Sequence, residues 1–461
     1  MQPLSDNDTI AAISTPLGEG AMGVVRLSGS RAVEIADEIF QSKNQKKVCE
    51  QKNFTSQLGF VTETDGEKNT IDEALLLLMR APKSYTCEDV VEISVHGGTG
   101  VLQATLGLAI KKGARLAQKG EFTKRAFLNG RLDLLQAEAV MDLVKSKTPL
   151  GRQWAVRQLE GYFSSAMQNL KREILDVLSH LEASIDFPDD FPDAQSSEAL
   201  ARRLEACEES VSKILNTARS GALVKNGLRV AITGRPNVGK SSLLNRLARV
   251  DRVIVTPYPG TTRDVVEQEI QIGNFPLRLF DTAGIQQTSH PIELQGIERS
   301  KKIVGEADLV LYVLDGSVEW NSEDRQLIEG LNGTPKIMVV NKSDLPQKLN
   351  ISKLVEPAIL TSCTEESGIT GLEEALLNFI RQGASSDASA DGVVTSVRQK
   401  DHLEKTLRAL QSAAGVCRES HLPELAASDL RQALQELGML IGEIVTDDLL
   451  EVLFSQFCIG K

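Results

Sequence analysis

Residues 228–244 read LRVAITGRPNVGKSSLL, in which a short apolar strand runs into the pattern G-x-x-x-x-G-K-[ST] and then into a helical segment. Glycines in such a loop let backbone N–H groups curl around phosphate oxygens at the beginning of a helix. Lys240 can neutralise the β- and γ-phosphates, and the Ser241 hydroxyl can ligate magnesium. Phosphate binding of this kind requires a strand before the loop and a helix after it, and both are present. The stretch therefore predicts a site for a nucleoside triphosphate.

The surrounding chain predicts the sheet that carries this loop. Between Leu228 and Arg381, apolar strands alternate with helical segments, which is typical of a doubly wound α/β domain with a parallel sheet. The strand-like stretches read LRVAIT, LRLFDT, LVLYVLD, KIMVVN and PAILTS. Because ligands of such sheets bind at the carboxyl ends of the strands, motifs that follow these strands are expected to meet.

Three further motifs stand at strand ends. Asp281-Thr282-Ala283-Gly284 supplies a carboxylate that can reach magnesium through water and a glycine N–H that can sense the γ-phosphate. In Asn341-Lys342-Ser343-Asp344, an ionised Asp344 can accept hydrogen bonds from N1–H and the exocyclic amine of guanine, which adenine does not offer. Ser362-Cys363-Thr364 would close over the base. Four motifs in this order predict GTP rather than ATP.

The loop TPYPGTTRD, residues 256–264, predicts a second magnesium ligand. We expect Thr262 to ligate magnesium when the γ-phosphate is present. Arg263 is an alternative functional candidate, as an internal arginine finger. Ile285 follows Gly284, at the position where many small GTPases orient the attacking water with a glutamine. Another group must therefore position that water.

The segments outside the α/β region predict one mixed domain and one helical domain. Residues 8–120 contain short apolar stretches broken by Gly, Pro and polar turns, which favours an α+β unit rich in strands. From residue 126 to about residue 223, apolar residues fall at helical spacing, with a break after Phe187. Helical spacing resumes at Leu403 and continues to the end, with turns expected near Gly415 and Pro423.

A linker separates the α/β region from the last helical segment. Residues 382–392, QGASSDASADG, are small and polar, which is typical of a linker. Because helical patterns stand on both sides of the α/β region, we expect that region to be inserted into a single helical domain.

Composition excludes several classes of protein. The 461 residues are 41% apolar and 25% charged, which argues against collagen, coiled rods and general disorder. The absence of a long apolar run and of a secretion signal predicts a cytoplasmic protein without a membrane association. The six cysteines form no Cys-x-x-Cys pair, which favours reduced thiols. A net charge of −12 argues against DNA binding or RNA binding through bulk positive charge, so any RNA contact must be local or supplied by a partner.

Over its whole length the chain resembles the MnmE family, also called TrmE, of bacterial tRNA-modifying GTPases in the TrmE-Era-EngA-like superfamily. The resemblance is carried by DTIAAISTPLGEGAMGVVRLSG near the start, YTCEDVVEISVHGG and GEFTKRAFLNGRLDLLQAEAV in the first third, the GTPase motifs and the ending FCIGK. It implies an N-terminal α+β folate-binding and dimerisation domain (1–125) and a discontinuous helical domain (126–223 and, with the linker, 383–461). A Ras-like doubly wound P-loop GTPase domain (224–382) is inserted between the two helical parts.

The resemblance also implies an activity and partners. The family adds an aminomethyl or carboxymethylaminomethyl group to carbon 5 of the wobble uridine of certain tRNAs, with 5,10-methylene- or 5-formyl-tetrahydrofolate as one-carbon donor. It acts as a homodimer, in a complex of heterotetramer type with MnmG, the partner that carries FAD. GTP hydrolysis is driven by potassium-dependent dimerisation of the GTPase domains, in which K⁺ can supply the charge that an arginine finger supplies elsewhere.

Site residues of the family map onto positions of this chain. By resemblance, the K⁺ ligands are Asn237, Thr256, Tyr258 and Thr261, the water-positioning catalytic residue is Glu293, and the folate contacts are Arg26, Glu92, Arg131 and Lys461. Arg131 stands where the family often has lysine. The predicted Mg²⁺ ligands are Ser241 and Thr262. The residues predicted to contact GTP are Asn237, Val238, Gly239, Lys240, Ser241, Ser242, Thr256, Pro257, Tyr258, Pro259, Gly260, Thr261, Thr262, Asp281, Thr282, Ala283, Gly284, Asn341, Lys342, Ser343, Asp344, Ser362, Cys363 and Thr364.

Two other functions stay open at this point. A regulatory GTPase, for instance a ribosome-assembly factor, would use the outer domains for docking, but it needs neither the folate-contact positions nor the CIGK ending. A potassium-gated structural dimer would hydrolyse GTP only incidentally. Cys458 is interpreted as a packing residue of a C-terminal helix, with nucleophilic catalysis as the alternative.

Overall fold

The computed structural model divides into two compact units, which are described separately. One unit comprises Met1–Met141 and Leu437–Lys461, and the other comprises Asp142–Glu436. These units do not follow the predicted domain limits, which therefore stay a prediction. The residues that the structure describes are 8–63, 69–187, 194–248, 267–281, 304–331, 333–351, 354, 357–365, 367–383, 392–419 and 422–461.

The described strands and helices are numbered here in chain order. The strands are β1 Ile10–Ile13, β2 Gly20–Ser28, β3 Phe40–Ser42, β4 Thr55–Glu63, β5 Asn69–Met79, β6 Val90–Gly97, β7 Arg115–Leu116, β8 Leu228–Thr233, β9 Glu267–Ile272, β10 Phe275–Asp281, β11 Leu309–Asp315, β12 Lys336–Asn341 and β13 Ala358–Leu360. The helices are α1 Ala32–Ile39, α2 Thr99–Lys111, α3 Glu121–Leu128, α4 Leu134–Lys145, α5 Pro149–Leu159, α6 Tyr162–Asp186, α7 Ala194–Leu215, α8 Ala218–Asn226, α9 Lys240–Leu247, α10 Ser322–Glu329, α11 Ser367–Gly383, α12 Val397–Glu419, α13 Pro423–Ile441 and α14 Asp447–Ser455, with a 3₁₀ turn at Val48–Glu50.

The first unit is built on a seven-stranded mixed sheet. Its strand order is β3-β4-β5-β6-β2-β1-β7, and all neighbours are antiparallel except β1 and β7. Alternate residues of the central strands, such as Val25, Leu76 and Ile93, pack with the buried faces of α1 and α2 in one core. A smaller cluster around Ile10 and Phe122 lies on β1 and α3. The predicted α+β unit rich in strands is confirmed.

The C-terminal tail is held against the segment around α3. Lys119 forms an antiparallel bridge with Ile459, and the Phe122 N–H donates to the Lys461 carbonyl at 3.2 Å. Gly460 has a φ of +91°, and a Cβ there would lie 2.5 Å from the Ile13 carbonyl oxygen, so the approach requires glycine. Cys458 follows α14 instead of lying in it, so its expected place in a C-terminal helix is wrong.

An ion-pair network centred on the buried residues Arg125 and Glu121 surrounds α3. Arg125 is buried, and its guanidinium contacts the carboxylates of Asp8, Glu88 and Glu121. Burial raises the pKa of Glu121, but hydrogen bonds from Arg115 and from a backbone N–H outweigh this effect and hold the pKa below its usual value. The network therefore favours the ionised carboxylates of Asp8 and Glu121, whose pKa values are lowered, and ties α3 to the residues around it.

The second unit contains the predicted doubly wound sheet. Its order is β13-β12-β11-β8-β10-β9, and every pair is parallel except β9 with β10. One face packs with α9 and α11 around Ile232 and Leu372, and the other face buries Tyr312 and Val340. Because both faces are covered, the central strands are apolar on both sides. The α/β prediction is confirmed.

Helices that precede the sheet in the sequence pack against a helix that follows it. Helix α6 buries Leu170, Ile174 and Leu181 at the predicted spacing and is capped at Phe187. Helices α7 and α12 are in extensive contact, and the Val394 N–H donates to the Thr217 hydroxyl at 3.0 Å. The α/β segment is therefore inserted between helices that pack against each other.

One local prediction about the helices is wrong. The apolar-periodic stretch that ends near residue 223 is helical, as predicted, and consists of two helices, α7 and α8. The turn expected near Gly415 is absent, since α12 runs through that residue and buries Ala413, Ala414 and Cys417 along one face. No helix among the described residues has the length and apolar character needed to cross a membrane.

Candidate functional site

The phosphate loop adopts a conformation that only small residues tolerate. Gly234 and Gly239 have φ values of +143° and +96°, and Asn237, at +63°, is a residue type that accepts this region. A Cβ at Gly234 would lie 2.3 Å from the Val313 carbonyl oxygen, which is backbone and cannot move aside. The loop therefore passes directly over β11 before α9 begins at Lys240.

Lys240 is held at the centre of this loop. Its side chain is buried, and Nζ donates to the carbonyl oxygens of Gly234 at 2.8 Å and Arg235 at 2.6 Å. Burial lowers the pKa of Lys240, and the charge of Asp281 opposes this effect only in part. An anion placed in the loop would favour the charged ammonium, so the arrangement suits a phosphate group.

Ser241 and Asp281 are brought together as predicted. The Ser241 hydroxyl donates to Asp281 Oδ2 at 2.8 Å, and Asp281 is buried at the carboxyl end of β10. A hydroxyl and a carboxylate are the hard oxygen ligands that Mg²⁺ prefers. These two residues therefore fit the expected metal. Within the described part of the chain, no cluster of three or more His, Cys, Asp or Glu could hold a metal ion by itself.

The residues 341–344 are bonded to the phosphate loop. Asn341 is buried and donates through Nδ2 to the Val238 carbonyl at 2.9 Å. Lys342 donates through Nζ to the Asn237 carbonyl at 3.1 Å and pairs with Asp315 at 2.5 Å. Burial raises the pKa of Asp315, but the hydrogen bonds from Lys342 and Ser317 together outweigh burial and lower that pKa overall. The loop and the expected base-binding motif therefore form one rigid edge.

Asp344 stands at this edge beside the predicted base-closing segment. The Ser362 hydroxyl donates to Asp344 Oδ1 at 2.7 Å, and it also contacts the Thr364 hydroxyl at 2.6 Å. Asp344 is exposed, so its carboxylate is accessible to a base. The Ser343 N–H donates to the Thr361 carbonyl, and Cys363 Sγ lies 3.6 Å from Asn341 Oδ1. The structure therefore brings the residues 341–344 and 362–364 together, as strand ends of a parallel sheet should be.

Sequence reasoning missed the contacts behind the phosphate loop. Arg235 Nε donates at 2.8 Å to Asp324 Oδ1, a fully buried carboxylate on α10 that the Tyr312 hydroxyl also approaches at 3.3 Å. Burial and the charge of Asp324 raise the pKa of Tyr312. The Arg235 carbonyl accepts a hydrogen bond from Lys240. Asp324 therefore holds Lys240 in place indirectly, through its contact with Arg235. The only sequence signal was an acidic residue in the first turn of a helix.

Several predicted residues lie outside the described part of the chain, so their roles stay predictions. They are Thr256, Pro257, Tyr258, Pro259, Gly260, Thr261, Thr262, Thr282, Ala283, Gly284 and Glu293. Among the remaining candidates, Ser242 is exposed on α9, and Asn237 is exposed at the tip of the loop.

The residues expected to contact folate gather in the first unit. Arg26 on β2 is the register partner of Glu92 on β6, and its guanidinium donates to Glu92 Oε1 at 2.8 Å. The same guanidinium donates to the Gly460 carbonyl at 3.1 Å, next to Lys461. The cluster therefore joins Arg26 and Glu92 to the C-terminal tail. Arg26 and Gly460 are in contact although 434 residues separate them in sequence.

Tyr85 joins Arg131 to the same cluster. The Arg131 guanidinium carbon lies 4.8 Å from the centroid of the Tyr85 ring, and its NH1 donates to the Tyr85 carbonyl at 3.0 Å. The Arg26 guanidinium lies 5.8 Å from the same ring and 5.5 Å from the Phe122 ring. Such stacking holds two cations beside one carboxylate and an aromatic face. Tyr85 was not singled out from the sequence, although it stands within the motif YTCEDVVEISVHGG.

Comparisons with known proteins cover nearly the whole chain. The family description "MnmE helical domain" matches residues 134–458, and "GTP-binding protein TrmE N-terminus" matches residues 9–131. The tRNA modification GTPase MnmE of Lactococcus lactis subsp. cremoris is 44% identical over 455 residues, which is 98% of each chain. That of Lactobacillus helveticus is 43% identical over 464 residues, which is 100% of each chain.

Solved structures resemble parts of the chain. A variant of Aquifex aeolicus Era bound to GDP and AlF4⁻ is 27% identical and covers 39% of this chain and 66% of its own, with a TM-score of 0.28. The G domain of the Thermotoga maritima FeoB iron transporter is 27% identical and covers 33% of this chain and 99% of its own, with a TM-score of 0.26.

We expect Asp324→Asn to weaken nucleotide binding, although Asp324 lies behind the phosphate loop and contacts only the Arg235 side chain of that loop. The change removes the charge that holds Arg235, and a charge-assisted hydrogen bond of about 1.5–3 kcal/mol corresponds to a loss of roughly 10-fold or more in GDP affinity. Calorimetric titration of GDP measures it. Tyr312→Phe leaves the Arg235–Asp324 pair intact and serves as the control. Equal GDP affinities for Asp324→Asn and the wild-type chain would contradict the role of this pair.

Proposed function

We propose a function from the premise that the chain belongs to the MnmE family of tRNA modification GTPases, as its full-length relatives and both family descriptions show. The chain is a P-loop GTP hydrolase. We propose that it is stimulated by K⁺ and that, with an FAD-carrying MnmG partner, it modifies carbon 5 of the wobble uridine of certain tRNAs in the cytoplasm. The observation that carries the proposal is the gathering of Arg26, Glu92, Arg131 and the C-terminal tail in one unit of a GTPase.

The phosphate loop would hold the phosphates of GTP. Lys240 would bind the β- and γ-phosphates, while the loop N–H groups at the beginning of α9 bind phosphate oxygens. Ser241 and Asp281 would hold Mg²⁺, which neutralises phosphate charge when bound. Asp344 would accept from both guanine donors, in an orientation set by Ser362.

Hydrolysis requires a charge near the β/γ-phosphate bridge and a group that positions water. We assign the first role to K⁺ held by Asn237, Thr256, Tyr258 and Thr261, and the second to Glu293. The exposed side chain of Asn237 and the absence of glutamine after Gly284 support this assignment. Arg263 as an internal finger has no support of this kind.

The folate proposal draws on the chemistry of the cluster in the first unit. A tetrahydrofolate offers glutamyl carboxylates for guanidinium groups and a pterin edge of donors and acceptors for a carboxylate. Arg26, Arg131 and Lys461 supply cations, Glu92 supplies the carboxylate, and the Tyr85 and Phe122 rings supply apolar surface. The residues present therefore fit 5,10-methylene- or 5-formyl-tetrahydrofolate. A ribosome-assembly factor would have no use for such a cluster.

A homodimer is favoured by the open face of the first sheet. Leu58 and Leu75 are cross-strand partners on β4 and β5, and they are 46% and 40% exposed. Apolar side chains that adjoin on a sheet face are typical of an interaction surface. A second copy of the chain would cover them.

We expect GTP turnover to be at least about 10-fold faster in KCl than in NaCl at equal ionic strength, because a cation placed near the β/γ bridge lowers the barrier by about 1.4 kcal/mol for each tenfold. Phosphate release at saturating GTP measures the rates. Asn237→Ala should remove the difference, whereas Asn274→Ala, at an exposed turn between β9 and β10, should keep it. Equal rates in both salts for the wild-type chain would refute the K⁺ assignment.

Analysis of tRNA nucleosides by mass spectrometry tests the modification itself. Cells that lack the protein should accumulate unmodified wobble uridine, and the wild-type gene should restore the modification. Glu92→Gln should fail to restore it while its GTP turnover stays at the wild-type rate, because Glu92 belongs to the other unit. Glu73→Gln, on the neighbouring strand β5, is the matched control. Wobble uridines that stay modified without the protein would end the proposal.

A further inference from the structure

A cavity of about 550 Å³ lies at the amino-terminal edge of the GTPase sheet, away from the nucleotide site. It is bounded by one face of α8 and by the amino ends of strands, including Leu228 at the start of β8. The phosphate loop follows the opposite end of β8, and Asp281 and Asn341 end β10 and β12. The GTP-binding residues therefore leave this cavity unused.

Three arginines from three elements line the cavity. Arg219 comes from α8, Arg229 from β8 and Arg278 from β10. Arg229 and Arg278 are direct register partners in parallel strands, and adjoining like charges destabilise a sheet unless counter-ions accompany them. The α8 face places Arg219 in line with Leu223 and Asn226, which also line the cavity.

Carboxylates balance these arginines only in part. Asp308 Oδ2 lies 3.8 Å from Arg229 Nε, and Glu269 Oε1 lies 3.2 Å from Arg278 Nε. Glu269 is shared with Lys147, which also contacts it. Arg229 and Arg278 are therefore each paired with a carboxylate, whereas neither of these two carboxylates contacts Arg219. Arg219 is exposed and makes no hydrogen bond or ion pair with any residue that the structure describes.

We propose that this arginine pocket, defined by Arg219, Arg229 and Arg278, binds the phosphodiester backbone of RNA. The inference rests on the proposed function and deepens it by giving the tRNA a contact on the GTPase-bearing unit. In a chain with a net charge of −12, RNA can bind only where cations are gathered locally. Arginine forks match phosphate oxygens in two-point contacts, and Arg229 and Arg278 are register partners on neighbouring strands.

Fluorescence anisotropy of labelled tRNA titrated with the full chain, at 50 to 200 mM KCl and without nucleotide, tests the proposal. The double variant Arg219→Ala, Arg229→Ala should bind at least 10-fold more weakly at the lowest salt. The slope of log affinity against log salt should fall by about 0.7–0.9 for each phosphate contact removed. Arg219→Lys keeps the charge and should retain most of the affinity.

The control is Arg202→Ala, an arginine on α7 that is 73% exposed and paired with Glu198. It removes one positive charge at another site, where the double variant removes two, and it should leave the salt slope unchanged. A double variant that behaves like Arg202→Ala would overturn the proposal, as would a wild-type chain that binds no tRNA at 50 mM salt. A double variant that loses inorganic pyrophosphate binding but binds tRNA like the wild-type chain would also overturn the RNA proposal. The pocket would then be a site for small anions.

The pocket inference and the proposed function would be refuted by different observations. If the pocket variants bind tRNA normally while cells without the protein lose the wobble modification, only the pocket inference falls. If the variants lose tRNA binding while wobble uridines stay modified without the protein, the pocket stands and the modification proposal falls. GTP turnover of the double variant should equal that of the wild-type chain, because the cavity lies at the other end of the strands.

Discussion

The nucleotide site depends on one buried positive charge. The ammonium of Lys240 is taken out of water and is held by two backbone carbonyls, which stabilise it less than an anion would. The loop that surrounds this charge contains residues at positive φ, and Gly234 lies directly against the β11 backbone. A phosphate would stabilise this buried charge, and the loop is already shaped to receive one.

The rest of the GTPase sheet keeps that loop in place from two sides. On one side Asn341 and Lys342 donate to carbonyls of the loop, and so tie the base-binding motif to the phosphate-binding motif. On the other side the buried Asp324 holds Arg235. Each contact crosses from one strand end or helix to another, which explains why a doubly wound sheet with both faces buried is required.

The parts of this account that were predictable are those encoded by local pattern. The phosphate loop, the strand ends that carry Asp281 and Asn341, and the helical spacing of α6 follow from residue type and periodicity. The Arg235–Asp324 pair and the register of Arg229 with Arg278 could not be predicted, because they depend on which strands and helices become neighbours. The pairing of Arg26 with Glu92 is similar: resemblance named both residues, but only strand register explains their contact. At Gly415 local propensity predicted a turn, and packing of the buried face of α12 overrode it.

The central claim is that this sheet edge is a guanine nucleotide site whose base is selected by Asp344. Xanthine differs from guanine in having a carbonyl where guanine has the exocyclic amine, so an amide should prefer it and a carboxylate should reject it. Calorimetric titration of Asp344→Asn with GDP and with xanthosine diphosphate is the most direct test. The account predicts a reversal of preference by at least about 100-fold relative to the wild-type chain. An Asp344→Asn chain that still preferred GDP as strongly as the wild-type chain would contradict it.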